Sequence, residues 1–321
     1  MRRNGLSRLL LAAALLWPGA AFAAEPHWPA SLTLGTASPG GTYYAYGEGL
    51  ARILTRALGL PVTMRATEGP SENIQLLEAG EIELAFVTQG VALQAWNGTS
   101  GWTGGKQLRV MRAMFPMYDT PFQLLVFQES NMRSVGDMAG KRIGVGPRGG
   151  TSATYFPEIF KTLDVTATFV FGEWSDLAAQ MNARTIDVLA VGAGVPFPSF
   201  IELEVKNRVR YVAFSRDNID DLKRAMPELN PSRVPAGTYP SLLRDYQTLG
   251  LFNFAVAHAD LPADLVYNIV RVVFEKHEEM MEVHASAAAT VPANMARNEF
   301  LPLHPGAIRY YRQIGRAGQS D

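Results

Sequence analysis

Three short stretches carry the residues best suited to grip a small molecule. Residues 35–46 read Gly-Thr-Ala-Ser-Pro-Gly-Gly-Thr-Tyr-Tyr-Ala-Tyr, residues 67–73 read Thr-Glu-Gly-Pro-Ser-Glu-Asn, and residues 144–152 read Gly-Val-Gly-Pro-Arg-Gly-Gly-Thr-Ser. Each joins glycines, which let backbone approach a ligand, to hydroxyl or amide side chains. Each also precedes a stretch that can form a helix. A helix start leaves backbone N–H groups without intrahelical acceptors and carries partial positive charge, so such a loop suits an anion. Any one of these loops is adequately explained as a turn with a cap. Three of the same kind at strand ends, where α/β sheets bind ligands, are harder to dismiss. None is a nucleotide signature. Gly-x-x-x-x-Gly-Lys-Ser/Thr is absent, and Gly144-x-Gly146-x-x-Gly149 stands alone, with Pro147 and Arg148 crowding its turn and only Glu173 near the place of a ribose-binding acid. A fourth loop, Gly-Ala-Gly-Val-Pro-Phe-Pro over residues 192–198, makes Phe197 a candidate pocket wall. The other aromatics near loops, Trp96, Trp102, Tyr118, Trp174 and Phe200, are more simply core residues.

Catalytic patterns are missing. The chain has no cysteine, which excludes thiolate nucleophiles, disulfides, zinc–thiolate sites and iron–sulfur clusters. No Gly-x-Ser-x-Gly elbow or His-Glu-x-x-His pair occurs. His277 and His284, among Glu275, Glu278, Glu279 and Glu282, read as a solvated charged helix face rather than a metal site, and His304 as a cap or packing residue. The expectation is a protein that is no enzyme and needs no metal and no cofactor.

These loops are positioned by an alternation of strands and helices. Residues 32–35, 61–67 and 83–88 read as strands separated by helices, the first of which places Tyr46, Leu50, Ile53, Leu54, Ala57 and Leu58 on one face before Gly59. The pattern restarts with strands at 108–114, 122–128 and 142–146, a helix over 152–163 that must accommodate Pro157, and further strands at 167–171, 186–191 and 210–214. Residues 251–256 form another strand, and 263–283 the longest amphipathic helix. The fold class is therefore α/β. The segments around 122 and 250 could each cross between two lobes, giving lobe 1 as residues 24–122 plus 250–321 and lobe 2 as 123–249, with a hinge and a ligand cleft between them.

The chain has 321 residues, of which 29 are basic and 30 acidic, a formal charge of −1 that excludes a dedicated nucleic-acid binder. Arg2, Arg3 and Arg8, the apolar run 9–17 and Ala21-Phe22-Ala23 read as a signal peptide over residues 1–23, because the run is shorter than the roughly 20 residues that span a bilayer. A periplasmic location follows as an expectation.

The set Gly35-Thr36 with Gly41-Thr42-Tyr43-Tyr44, Ser71-Glu72-Asn73 with Leu76-Leu77, residues 80–89, Gly140-Lys141-Arg142-Ile143-Gly144-Val145-Gly146 and His304-Pro305-Gly306-Ala307-Ile308-Arg309-Tyr310-Tyr311 resembles the TAXI family of TRAP-transporter solute receptors. The resemblance runs through nearly all of the chain after residue 23. It implies a type II periplasmic binding fold and a monomeric receptor that delivers a small organic anion, glutamate-like or another carboxylate, to a TRAP membrane permease. It places the pocket at Thr42, Tyr43 and Tyr44, at Ser71 and Asn73, at Gln89, and at Gly150, Thr151 and Ser152. The chain departs from the family at Gly90-Val91-Ala92, where many members carry an acid, and at Gly149-Gly150-Thr151-Ser152, which replaces Gly-Ser-Gly-Thr.

Overall fold

The computed structural model describes residues 25–315, so the signal-peptide expectation lies outside the described residues. A first series runs β1 (Leu32–Gly35), α1 (Thr42–Leu58), β2 (Val62–Arg65), α2 (Pro70–Glu78), β3 (Leu84–Thr88) and α3 (Gln89–Asn97). The long strand β4 (Met111–Phe127) leads to a second series: β5 (Arg142–Gly144), α4 (Thr151–Thr162), β6 (Thr168–Val170), α5 (Trp174–Asn182), β7 (Val188–Gly192), α6 (Pro198–Lys206), β8 (Val209–Tyr211), α7 (Arg216–Ala225) and β9 (Asn230–Val234). Strand β10 (Tyr246–His258) and helices α8 (Ala263–Glu275), α9 (His277–Val283) and α10 (Pro305–Gln313) follow.

All of these strands belong to one sheet, ordered β2-β1-β3-β10-β4-β7-β5-β6, with β9 added on β10 and β8 on β4. At one end β1 pairs parallel with β2 and β3; at the other, β5 pairs parallel with β6 and β7. Between these parallel ends, β4 and β10 run antiparallel to each other, β10 against β3 and β4 against β7. Every residue of β3 and β7 is buried, as in parallel strands covered on both faces. Helix α1 sinks Tyr46, Leu50, Ile53, Leu54 and Leu58 into a core shared with α8 and α10, and Gly59, at φ 63°, ends it in the left-handed conformation that favours glycine. A separate cluster packs α5 and α6 under β7 through Leu177, Phe197, Phe200 and Leu203. Burying each such side chain contributes roughly 1.5–3 kcal/mol.

Three sequence expectations are corrected. The strands expected at 108–114 and 122–128 are one strand, with Pro116 and Pro121 inside it. Each proline removes a ladder donor, and the β4–β10 register shifts between Phe252 and Phe254, beside the Phe254–Pro116 pair. The helix expected over 263–283 breaks at Lys276 (φ −104°, ψ 25°) into α8 and α9, although Met280 stays buried. His284 is buried rather than solvated: Nε2–H donates to Pro196 O (3.1 Å), while Ser286 N–H donates to Nδ1 (3.2 Å).

Candidate functional site

The ends of the two parallel sets face each other across the β4–β10 pair, and the loops that leave them enclose a cavity. It holds about 430 Å³ of space, its open mouth included, with Thr42, Tyr43, Glu68, Gly150 to Ser152, Trp174, Phe197 and Asn253 among its walls. Residues from both series touch across it. Thr42 Oγ1–H donates to Gly194 O (2.7 Å), Ser199 Oγ–H to Gly40 O (3.0 Å) and Ser71 Oγ–H to Gly149 O (2.8 Å), while Thr88 and Thr151 share a hydroxyl hydrogen bond of 2.7 Å. The glycines permit this approach: a Cβ on Gly149 would lie 2.8 Å from Glu68 Cβ, and one on Gly69 2.9 Å from Gly150 Cα. These contacts join the two series across the cavity.

Thr42, Tyr43, Gly150, Thr151, Ser152 and Phe197, proposed from sequence, come together in the cavity wall. Tyr44, Ser71, Asn73 and Gln89 do not stand in that wall. Tyr44 is half-buried on α1. Ser71 clasps Gly149 through both its amide (3.1 Å) and its hydroxyl. Asn73 is wholly buried, donating to Thr36 O (2.8 Å) and Phe86 O (2.9 Å), so it braces the loop after β1. Gln89 donates to Arg297 O (2.6 Å). Arg148 lies outside, exposed, with its guanidinium 4.2 Å over the Phe171 ring.

Sequence reasoning missed Glu68, Trp174 and Asn253 as wall residues. A lone amide inside the apolar run 251–256 was the signal for Asn253. That residue is fully buried on β10, donates to Tyr118 O and Thr120 Oγ1 (both 2.6 Å), and accepts from the Tyr43 hydroxyl (2.6 Å). It thereby fastens the crossing strands to the first loop. Burial pushes the Tyr43 phenol well above its ordinary pKa, so it remains a neutral donor. Ser152 Oγ accepts from Gly192 N–H (2.8 Å), which fixes the end of β7.

The wall has one acid, Glu68, and no lysine or arginine. Glu68 accepts from Gly149 N–H (3.1 Å). Helices α1 and α4 start at this wall with Gly41 and Gly150 as N-caps, and neither start has a side-chain cap. Among the described residues, no three histidine or acid side chains gather as metal ligands, and no helix is long and apolar enough to cross a membrane.

A two-ended α/β sheet joined by two crossing strands, with a cavity between the ends, defines the fold of periplasmic binding proteins. The chain belongs to the NMT1-like family, whose sequence profile matches residues 34–315. It is similar in structure to the periplasmic binding protein BugD, with a TM-score of 0.59 at 12% identity over 91% of this chain and 96% of that one. It is also similar to MatC from Rhodopseudomonas palustris with bound malate, with a TM-score of 0.59 at 12% identity over 89% of this chain and 97% of that one. At such identity the likeness establishes the fold.

Proposed function

We propose that this protein is an extracytoplasmic solute receptor that closes on one small organic anion and delivers it to a TRAP-type membrane permease. The observation that carries this reading is the cavity between the two parallel sheet ends, walled by backbone donors, hydroxyls and aromatic rings. The family and fold support a binding rather than a catalytic role, and the resemblance to TAXI receptors supports the choice of permease. Thr42, Tyr43, Gly150, Thr151, Ser152 and Phe197 form the binding site in this reading. Tyr44, Ser71, Asn73 and Gln89 support it from behind. The division into lobes is placed at 122/123 and 249/250, inside β4 and β10, so that closure bends these two strands.

Native mass spectrometry of gently purified protein tests the proposal. One small organic anion per chain is expected. A neutral or cationic solute would overturn the anion assignment, and turnover of the released solute by the pure protein would overturn the receptor reading.

A further inference from the structure

Five helices begin at the cavity wall, and they do not begin alike. Helix α2 starts with Pro70, which has no N–H, and its next amide, Ser71, is taken by Gly149 O (3.1 Å). Helix α6 starts with Pro198, and its Phe200 amide returns to Phe197 O (3.0 Å). Whereas α2 leaves only the amide of Glu72 unclaimed and α6 only that of Ser199, helices α1 and α4 are more open. Their N-caps are glycines without side chains, and no acceptor among the described residues takes the amides of Thr42, Tyr43, Thr151 or Ser152. A fifth helix, α5, gives Trp174 to the wall but carries its own acids, Glu173 and Asp176, at its start.

An independent observation lies beside the start of α1. Trp174 is only 7% exposed, and its indole N–H makes no hydrogen bond to the described residues. Its Nε1 stands 3.6 Å from where a side chain on Gly41 would begin, and its ring meets Phe197 edge-on at 5.1 Å. The N–H of a buried tryptophan normally finds a partner. This side chain stands in the cavity wall beside the open amides of α1.

Charge sets the number of anionic groups. Each open helix start supplies roughly half a positive charge, so α1 and α4 together balance about one carboxylate. The wall holds no basic side chain that could balance a second, and Glu68 opposes it. Tyr43, Phe197, Pro70, Pro147, Ala37 and Ala193 make much of the remaining surface apolar or aromatic, beside the polar side chains of Thr120 and Asn253 and the hydroxyls of Thr42, Thr151 and Ser152. Resting on the receptor reading above, we infer that the solute is a monoanion: one carboxylate on a compact apolar body, held by the α1 and α4 amides and by the Trp174 indole N–H. Diacids are disfavoured by charge.

Calorimetric titration with benzoate and 3-methylbutanoate, compared with succinate and malate, tests this. A monocarboxylate is expected to bind at least about ten-fold more tightly than either diacid, the effect of one uncompensated charge. Trp174→Phe should weaken that monocarboxylate by about ten-fold while keeping an aromatic wall. In wild-type protein the Trp174 indole N–H resonance should move downfield as the monocarboxylate is added, which decides the matter if the variant misfolds. Tighter binding of succinate or malate would overturn the monoanion inference and leave the anion receptor standing, as would an unmoved indole resonance. If none of the four binds, the solute released from purified protein decides: a singly charged anion supports the inference, a doubly charged one overturns it, and a neutral or cationic one overturns the receptor's anion reading too.

Discussion

Helices α7 and α10 are finished at their starts, and helices α1 and α4 are not. At α7, Ser215 Oγ accepts from Asn218 N–H while Asn218 Oδ1 accepts from Ser215 N–H, both at 3.1 Å. At α10, Pro305 opens the helix and buried His304 caps it, Nδ1 accepting from Gly306 N–H at 3.2 Å. Gly41 and Gly150 provide nothing of the kind. Glycine in place of serine at an N-cap costs only a few tenths of a kcal/mol. An unfinished start is therefore cheap for the fold, and beside a cavity it leaves donors aimed at a guest. The same element serves stability in one region and recognition in the other.

The comparison breaks most visibly if α4 is finished artificially. Gly150→Asp would cap the helix and place a carboxylate where the solute's is proposed. Anion affinity should fall more than about 100-fold, while thermal stability falls by no more than about 3 kcal/mol, because a Cβ at Gly150 lies 3.0 Å from Pro147 O. Calorimetry and thermal melts separate the two, and retained affinity would show that α4 does not hold the anion. Gly149→Ala comes next. A Cβ there meets Glu68 Cβ at 2.8 Å across the cleft, so the variant should stay open, with a larger radius of gyration in solution scattering and at least about ten-fold weaker binding. An unchanged radius would mean that the contact yields without opening the cleft.

A smaller effect is expected from Ser152→Ala. Removing its oxygen leaves the buried Gly192 N–H unpaired, which costs about 1–3 kcal/mol of stability, read from denaturant midpoints. Thr151→Ala, which loses only a hydroxyl contact to Thr88 across the cleft, should cost less in stability than in affinity.

At the finished start the expected effect is on stability alone. Burial pushes the His304 imidazole from its ordinary 6.5 down to about 4. Between those values the unfolded chain binds a proton that the folded chain does not, so stability falls as pH drops through this window and levels off below it. The loss should be about 2 kcal/mol, allowing for partial screening by solvent. His304→Asn keeps a cap acceptor without titrating and should flatten that slope in denaturant titrations between pH 7 and 4. An equal slope in the variant would assign the acid sensitivity to other groups.

Much of this was legible in the sequence, for physical reasons that also mark where legibility ends. Strands β1, β3 and β7 announce themselves as apolar runs bounded by glycine or polar residues, and α1 by its repeat of buried positions. The continuity of β4 was hidden, because Pro116 and Pro121 read as breaks unless the partner strand and its irregular register are known. The glycine and hydroxyl clusters before α1 and α4 marked two of the loops by local chemistry, and the resemblance to TAXI receptors narrowed them to Thr42, Tyr43 and Gly150 to Ser152. Asn73 and Gln89 look equally polar in sequence, yet their amides bond to carbonyls of distant segments. Local pattern does not tell a group that faces a cavity from one that braces a neighbour. Trp174 shows the converse: a tryptophan passes for core until its unpartnered N–H is seen beside Gly41.

The central claim is that the two sheet ends close on one anion. Its most direct test is calorimetric titration of solute-free wild-type protein and of Gly149→Ala with the solute released from the purified protein. One solute per wild-type chain is expected, with at least about ten-fold weaker binding to the variant. Equal affinity in a variant whose radius of gyration has grown, or more than one solute per chain, would contradict enclosure in this cleft.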